Sequence, residues 1–256
     1  RERLEKLIEM IRLTSLFFKN NFMKIISIIF LSLIIDNLYI LKINNPPAWD
    51  QGYHLSNVFK MYNILDDQGI NFFDKFDQLL NVTDSYRGPL TYFISALFLK
   101  FFNNSYQYAY LSNQIFNIVS IISIFHLGKL LKNQSTGIWA SLIFTFSSLI
   151  INQRSDYLID LSLTSFSTLG FLFFTKWYLD NNKFSYYSSL SGISLGLIFL
   201  TRPTGIINFV FPFTLIIFKL IKCKYSFTDI LKELIFFFTG FIALIFPWFS
   251  RNWLTI

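Results

Sequence analysis

Cysteine is almost absent. Cys223 is the single one, so neither a disulfide framework nor a thiolate metal site can be built. It lies between Lys222 and Lys224 and reads as an inert loop residue on the reducing side of a membrane. Charge is also scarce, at 14% of residues where a soluble domain carries about 25%. With 53% apolar residues, 20% aromatic and a mean hydropathy of +0.47, the composition is that of a membrane protein. The net charge is +7, but the basic residues are scattered over short loops. They act there as topology determinants and form no nucleic-acid surface. No Gly-rich phosphate loop, nucleotide fold or internal repeat is visible. No cleavable signal peptide is evident either, since 25–43 is too long for an h-region and lacks an Ala-x-Ala exit. Arg1 in place of methionine, and an end soon after Pro247-Trp248, predict that both ends are cut from something longer.

Long apolar runs lie at about 25–43, 107–131, 137–152, 158–178, 185–200, 204–221 and 230–249, which predicts seven spans. The expected fold class is therefore all-α, a polytopic transmembrane helical bundle, and the long first outer loop, 44–106, should carry interfacial helices. Residues 1–24 form an amphipathic start, with Leu4, Leu7, Ile8 and Ile11 at helical spacing, ahead of a membrane domain over 25–256. The run at 89–102 is only 14 residues long, short for a crossing. If it does not cross, 14 of the 22 basic residues fall on the side of the N-terminus; if it crosses, the positive-inside rule fails. The expected topology is thus a cytoplasmic N-terminus in a cell (inner) membrane.

Downstream of the N-terminal segment the arginines, Arg87, Arg154, Arg202 and Arg251, all fall on the outer side, while the cytoplasmic loops use lysine. A guanidinium offers a planar fork suited to bidentate phosphate contact, which lysine does not, so four arginines at the outer turns could converge on an anionic headgroup. Two carboxylates share that face. Asp50 follows the first span in Trp49-Asp50-Gln51-Gly52-Tyr53-His54, and Asp160 opens another in Tyr157-Leu158-Ile159-Asp160. Acids at span ends are functional candidates because ionised groups are expensive at hydrocarbon depth. His54, four residues after Asp50, faces the same way on a helix and could tune it or bind a metal. Trp49, Tyr53 and Tyr92 could stack on a sugar. Asp36, inside the first span, must pair or face the bundle, and a packing role fits it best. Asp66, Asp67, Asp74 and Asp77 read as a solvated loop face.

With Tyr86-Arg87-Gly88-Pro89, Gly196-Leu197-Ile198-Phe199-Leu200-Thr201-Arg202-Pro203 and Pro247-Trp248-Phe249-Ser250-Arg251-Asn252, these stretches resemble the GT-C superfamily of polyprenyl-phosphate-sugar-dependent glycosyltransferases. The likeness is to its protein mannosyltransferase and aminoarabinose transferase branch, and it extends over about the N-terminal half of a full-length member. The family usually has Asp-Glu where this chain has Asp50-Gln51. The resemblance implies an inverting transfer of a sugar from a polyprenyl-phosphate donor to a lipid, glycan or protein acceptor outside the cytoplasm. Asp50 would be the general base and Arg87, helped by Arg202 or Arg251, the phosphate clamp. Asp160 would orient sugar or acceptor, with Arg154, Tyr53 and His54 among the substrate-binding residues. No cofactor is certain; a divalent cation shared by Asp50, His54 and Asp160 is possible. A transporter or flippase-like protein for lipid-linked sugars, or an inactive scaffold, remains the alternative.

Overall fold

The computed structural model describes residues 21–42, 49–84, 86–102, 105–180, 185–222 and 226–253, and among them there are helices and turns but no strand. The amphipathic start over 1–24 lies almost wholly outside the described residues, as does Cys223. The helices are α1 (Asn21–Ile40), α2 (Trp49–Asp66), α3 (Phe72–Asn81), α4 (Leu90–Phe101), the single turn α5 (Tyr106–Ala109), α6 (Leu111–Leu131), α7 (Gln134–Phe146), α8 (Ser148–Ser155), α9 (Asp160–Leu179) and α10 (Tyr186–Thr201). A 3-10 segment, Pro203–Phe209, then leads into α11 (Val210–Lys222) and α12 (Phe227–Asn252). The protein is an all-α polytopic helical bundle.

Each of the seven expected spans has a helical counterpart, but the described helices do not all qualify as crossings. Four are long and apolar enough, Phe22–Ile40, Tyr106–Leu131, Pro203–Lys222 and Phe227–Asn252. A fifth is the pair α7 and α8, bent by 56° at its break. The two remaining counterparts, α9 and α10, differ from these in composition and in length. The first carries Ser162, Thr164, Ser165, Ser167 and Thr168, and the second is 16 residues long with Ser188, Ser191 and Ser194 fully buried. Both lie between other helices: α6 packs on α9, α9 on α10 and α10 on α12, with α1 and α7 beyond α6. A helix surrounded by helices is selected for close packing, so small polar side chains replace the apolar ones that a lipid-facing helix needs.

Close approach is visible at α10 and α12. A Cβ on Gly192 would come 2.0 Å from the carbonyl oxygen of Phe237, and one on Gly240 would come 2.6 Å from that of Ser189. Two of the buried serines bond to the local backbone, Ser188 Oγ donating to the Ser185 carbonyl and Ser194 Oγ to that of Ser191.

The described part of the loop 44–106 folds as α2, α3 and α4 ahead of the single turn at Tyr106. At 12 residues α4 is about 18 Å long, well short of a roughly 30 Å hydrocarbon core. Its buried side chains face α2, α6 and α9. Leu55, Val58 and Met61 of α2 pack with Tyr92, Ala96 and Leu99 of α4. Hydroxyl pairs hold the other side: Thr91 Oγ1 to Ser162 Oγ at 2.7 Å, Ser95 Oγ to Ser112 Oγ at 2.7 Å, and Tyr157 Oη donating to Ser95 Oγ at 2.5 Å.

One ion pair lies inside the bundle. Arg154 Nε of α8 is 3.1 Å from Asp36 Oδ1 of α1, and both side chains are buried. Among the described residues, Arg154 Nε, Nη1 and Nη2 and Asp36 Oδ2 have no aligned hydrogen-bond partner. The contact is therefore a charge pair rather than a fork. Removing one member leaves the other charge uncompensated in a dry place, which costs about 3–5 kcal/mol, whereas replacing both by apolar residues of similar volume is often neutral. Asp36→Asn should thus lower the thermal unfolding midpoint in detergent markedly, and the double substitution Asp36→Leu/Arg154→Met should recover most of the loss. Equal damage from the single and double changes would show that the pair is not what stabilises this contact.

Candidate functional site

Asp50 stands exposed in the first turn of α2, and Asp160 in the first turn of α9. Each carboxylate lies at the positive end of a helix dipole, a place that suits an acidic side chain. Trp49, just ahead of Asp50, has a φ of 51° and is 96% exposed. A left-handed backbone is unusual for a bulky residue, so the chain enters α2 under local strain beside the acid.

One turn after Asp50, His54 points inward and is buried. Its Nδ1 lies 2.7 Å from Tyr92 Oη, and its ring stacks on the Tyr92 ring at 5.7 Å between centroids. Burial, reinforced by the Arg87 guanidinium, pushes the imidazole down from its usual 6.5 to about 4, although Asp50, Asp160 and Asp84 pull the other way. These four charged groups are therefore the electrostatic surroundings of His54. The ring is neutral at physiological pH, able to hydrogen-bond but adding no positive charge.

Arg87 is held from two sides. Its Nη1 donates to Asp84 Oδ2 at 3.2 Å, and its guanidinium carbon lies 4.6 Å above the Tyr53 ring. Tyr53 Oη donates to the same Asp84 oxygen at 2.7 Å. The next residue, Gly88, brings this group to the end of α10. Its N–H donates to the Thr201 carbonyl at 3.2 Å, and a Cβ there would lie 1.9 Å from the Leu200 carbonyl oxygen. Only glycine permits that approach. Arg202 follows directly after α10, and its Nη1 is 3.6 Å from Asp160 Oδ1, both groups being about half exposed.

Asp50, Tyr53, His54, Arg87, Asp160 and Arg202 thus come together as the sequence leads one to expect, and two other arginines do not. Arg154 is instead buried against Asp36. It lies on α8, which is bent by 56° from α7. Arg251 contacts Asp77 of α3, and its Nη1 donates to the Pro247 carbonyl at 2.9 Å. Asp77 is accordingly an ion-pair partner and not merely part of a solvated face. Gln51, in the place of a second acid, bridges two elements: its Nε2 donates to Asp156 Oδ1 at 3.1 Å, and Tyr110 Oη donates to its Oε1 at 3.0 Å. Asp84 is the residue that sequence reasoning missed. It stands three residues before the clamp arginine, one more acid in a loop that already carries Asp66, Asp67, Asp74 and Asp77.

Among the described residues no three His, Cys, Asp or Glu side chains converge closely enough to hold a metal ion, Asp50, His54 and Asp160 included.

Beside the charged groups runs an apolar groove of about 200 Å³. Pro89, Leu200 and Pro247 line it, each within four residues of Arg87, Arg202 or Arg251, with Leu80, Phe93 and Trp248 as further walls.

The family model for dolichyl-phosphate-mannose-protein mannosyltransferase matches residues 86–250, more than half of the chain. The chain belongs to this family. It is a membrane glycosyltransferase of the GT-C kind. The matched stretch includes Arg87, Asp160 and Arg202, while the Asp50 turn precedes it. A comparison with curated proteins finds no match.

The buried His54 makes stability depend on pH. The folded chain binds a proton there only near pH 4, the unfolded chain already near 6.5. Between those values the unfolded state holds more protons, so stability falls as pH falls from about 6.5 to about 4. Acidifying from neutral pH towards 4.5 should lower the unfolding midpoint of the wild type more than that of His54→Gln. An equal or larger drop in the variant would contradict the burial of a neutral imidazole.

Proposed function

We propose that this glycosyltransferase moves a sugar from a polyprenyl-phosphate donor to an acceptor hydroxyl of a lipid, glycan or protein, on the extracytoplasmic face and with inversion. The observation that carries the proposal is the juxtaposition of two arginines and two helix-terminal carboxylates with an apolar groove. A prenyl chain suits the groove, which puts its phosphate at the mouth where the arginines are. Nucleotide sugars are not available outside the cytoplasm, so a lipid-borne donor fits a site of this shape at the bilayer surface. The dolichyl phosphate mannose in the family's description belongs to the same chemical class.

In the mechanism, the acceptor oxygen attacks the anomeric carbon as the bond from that carbon to the phosphate oxygen breaks. The bonding pair leaves on the phosphate, and the acceptor proton passes to Asp50. Phosphate departs as a stable anion and needs no general acid, only positive charge over it. Arg87 and Arg202 supply that charge. Asp160, released from Arg202 as the phosphate takes its place, orients sugar or acceptor. His54 is neutral and fixed by Tyr92, so it serves as a wall and hydrogen-bonding group beside Asp50. The orientation follows the charge distribution: the loop 44–106 outside, the lysine-bearing turns inside.

Two substitutions separate chemistry from binding. Asp50→Asn keeps shape and hydrogen bonding but cannot take the proton, so transfer should fall by about 10² to 10⁴-fold while donor binding persists. Intact transfer would remove Asp50 as base, and parallel loss of both would assign it to substrate positioning. A headgroup transporter has no reason to separate the two. Arg87→Ala should cost about 2–3 kcal/mol of transition-state stabilisation, the range for one lost oxyanion donor. Arg87→Lys, which keeps charge but loses the fork, should cost less. Wild-type turnover in Arg87→Ala would end its role as clamp.

A further inference from the structure

The ionised groups around His54 do not balance. Asp50, Asp84 and Asp160 provide three negative charges and Arg87 and Arg202 two positive ones. Tyr53 and Tyr92 complete the surroundings as neutral phenols. Of the three acids, Asp50 and Asp160 are placed to meet sugar or acceptor, whereas Asp84 touches the clamp itself. Its Oδ2 accepts from Arg87 Nη1 and Tyr53 Oη, and its Oδ1 accepts from the Tyr86 N–H at 3.2 Å. Held by three donors, it cannot easily swing away when a phosphate approaches Arg87. A carboxylate fixed beside an anion site weakens anion binding, which is an odd feature unless the anion must also leave.

The chemistry of the transfer supplies that need. The donor is a phosphodiester with one negative charge. The departing lipid phosphate is a monoester, whose second pKa near 6 gives it about −1.5 to −2 at pH 7. While Asp50 holds the acceptor proton, the site's total charge is unchanged. Once that proton passes to water, the clamp faces one more negative charge than before. We infer that Asp84 is a specificity residue that disfavours the lipid monophosphate product relative to the phosphodiester donor, and so promotes product release. The inference rests on the lipid-phosphate donor reading of the site.

The test is equilibrium binding to the full chain in nanodiscs of three probes: farnesyl phosphate, farnesyl methyl phosphate as the diester, and farnesol as the neutral control. His54 stays neutral between pH 5 and 8, so over that range the charge of the monoester is what changes most at the site. Wild type should bind farnesyl phosphate more weakly at pH 8 than at pH 5, with little change for the diester. At pH 8, Asp84→Asn should tighten the diester by about threefold. The monoester should tighten by about tenfold, because the effect scales with ligand charge. At pH 5 the two shifts should be alike, and Asp84→Glu should keep the wild-type preference. Equal shifts for both ligands at pH 8, or weaker binding in Asp84→Asn, would overturn the inference while leaving the donor reading intact. If Asp84→Asn does not fold, the wild-type pH series still decides, since tighter monoester binding at pH 8 overturns it. Wild type binding both phosphates no better than farnesol would instead sink the donor reading, and this inference with it.

Discussion

The contact between Gly88 and the end of α10 is the constraint on which the site depends. A side chain at Gly88 would run into the Leu200 carbonyl, so any other residue must push the Arg87 turn away from α10. That turn sets three things at once. It places Arg87 next to Arg202, and it brings Pro89 and Leu90 against Leu200 as walls of the groove. It also starts α4, whose hydroxyl pairs with Ser162 and Ser112 fix it on α9 and α6. Arg87 enters the site from the outer loop and Arg202 from the end of an inner helix, so without this glycine the two cations would have no shared position. The residue that fixes the geometry thus has no chemistry of its own.

Below the site the bundle exchanges apolar bulk for closeness. Between α10 and α12, glycines face carbonyl oxygens, and neighbouring serines bond to their own helix. In hydrocarbon, helix association comes from packing and hydrogen bonds rather than from expelling water, which favours small residues at the interfaces. Leu195, Ile198, Phe209 and Phe237 then fill the larger gaps around these close contacts.

The same physics explains what could be read from sequence and what could not. Helical class follows from apolar run length, and Asp50, Asp160, Arg87 and Arg202, which the charge distribution groups on one side, gather at one site. The seven apolar runs all fold as helix, and the two inner ones differ from the rest in different ways, α9 by its many serines and threonines and α10, apolar, by its 16-residue length. Arg154 was grouped with the phosphate ligands because arginine at an outer turn has the same signature whether it faces water or turns inward. Its destination depends on Asp36, more than a hundred residues earlier, and on the bend between α7 and α8. Asp36 alone was legible, since an acid within a span must find a partner. Asp84 was hidden for the opposite reason: a loop acid amid other loop acids looks solvated until its partners are seen.

Arginine therefore has three separate uses in one protein, and its partner's burial decides among them. Against Asp36 both charges are dry and neither can be given up without leaving the other stranded, so Arg154 is committed to structure. Against Asp160 and Asp84 the carboxylates are more than a third exposed, where a pair is worth about 0–1 kcal/mol. A phosphate offering more oxygens can displace Asp160 at little cost and leave Arg202 free to bind, whereas Asp84, held also by Tyr53 and the Tyr86 N–H, stays beside Arg87. Arg251 and Asp77, on the two helices α12 and α3 that wall the groove, are likewise solvent-accessible, and that pair is weak enough to part. An arginine clamp must be satisfied enough at rest to stay in position yet paired loosely enough to let go, and exposed carboxylates meet both demands.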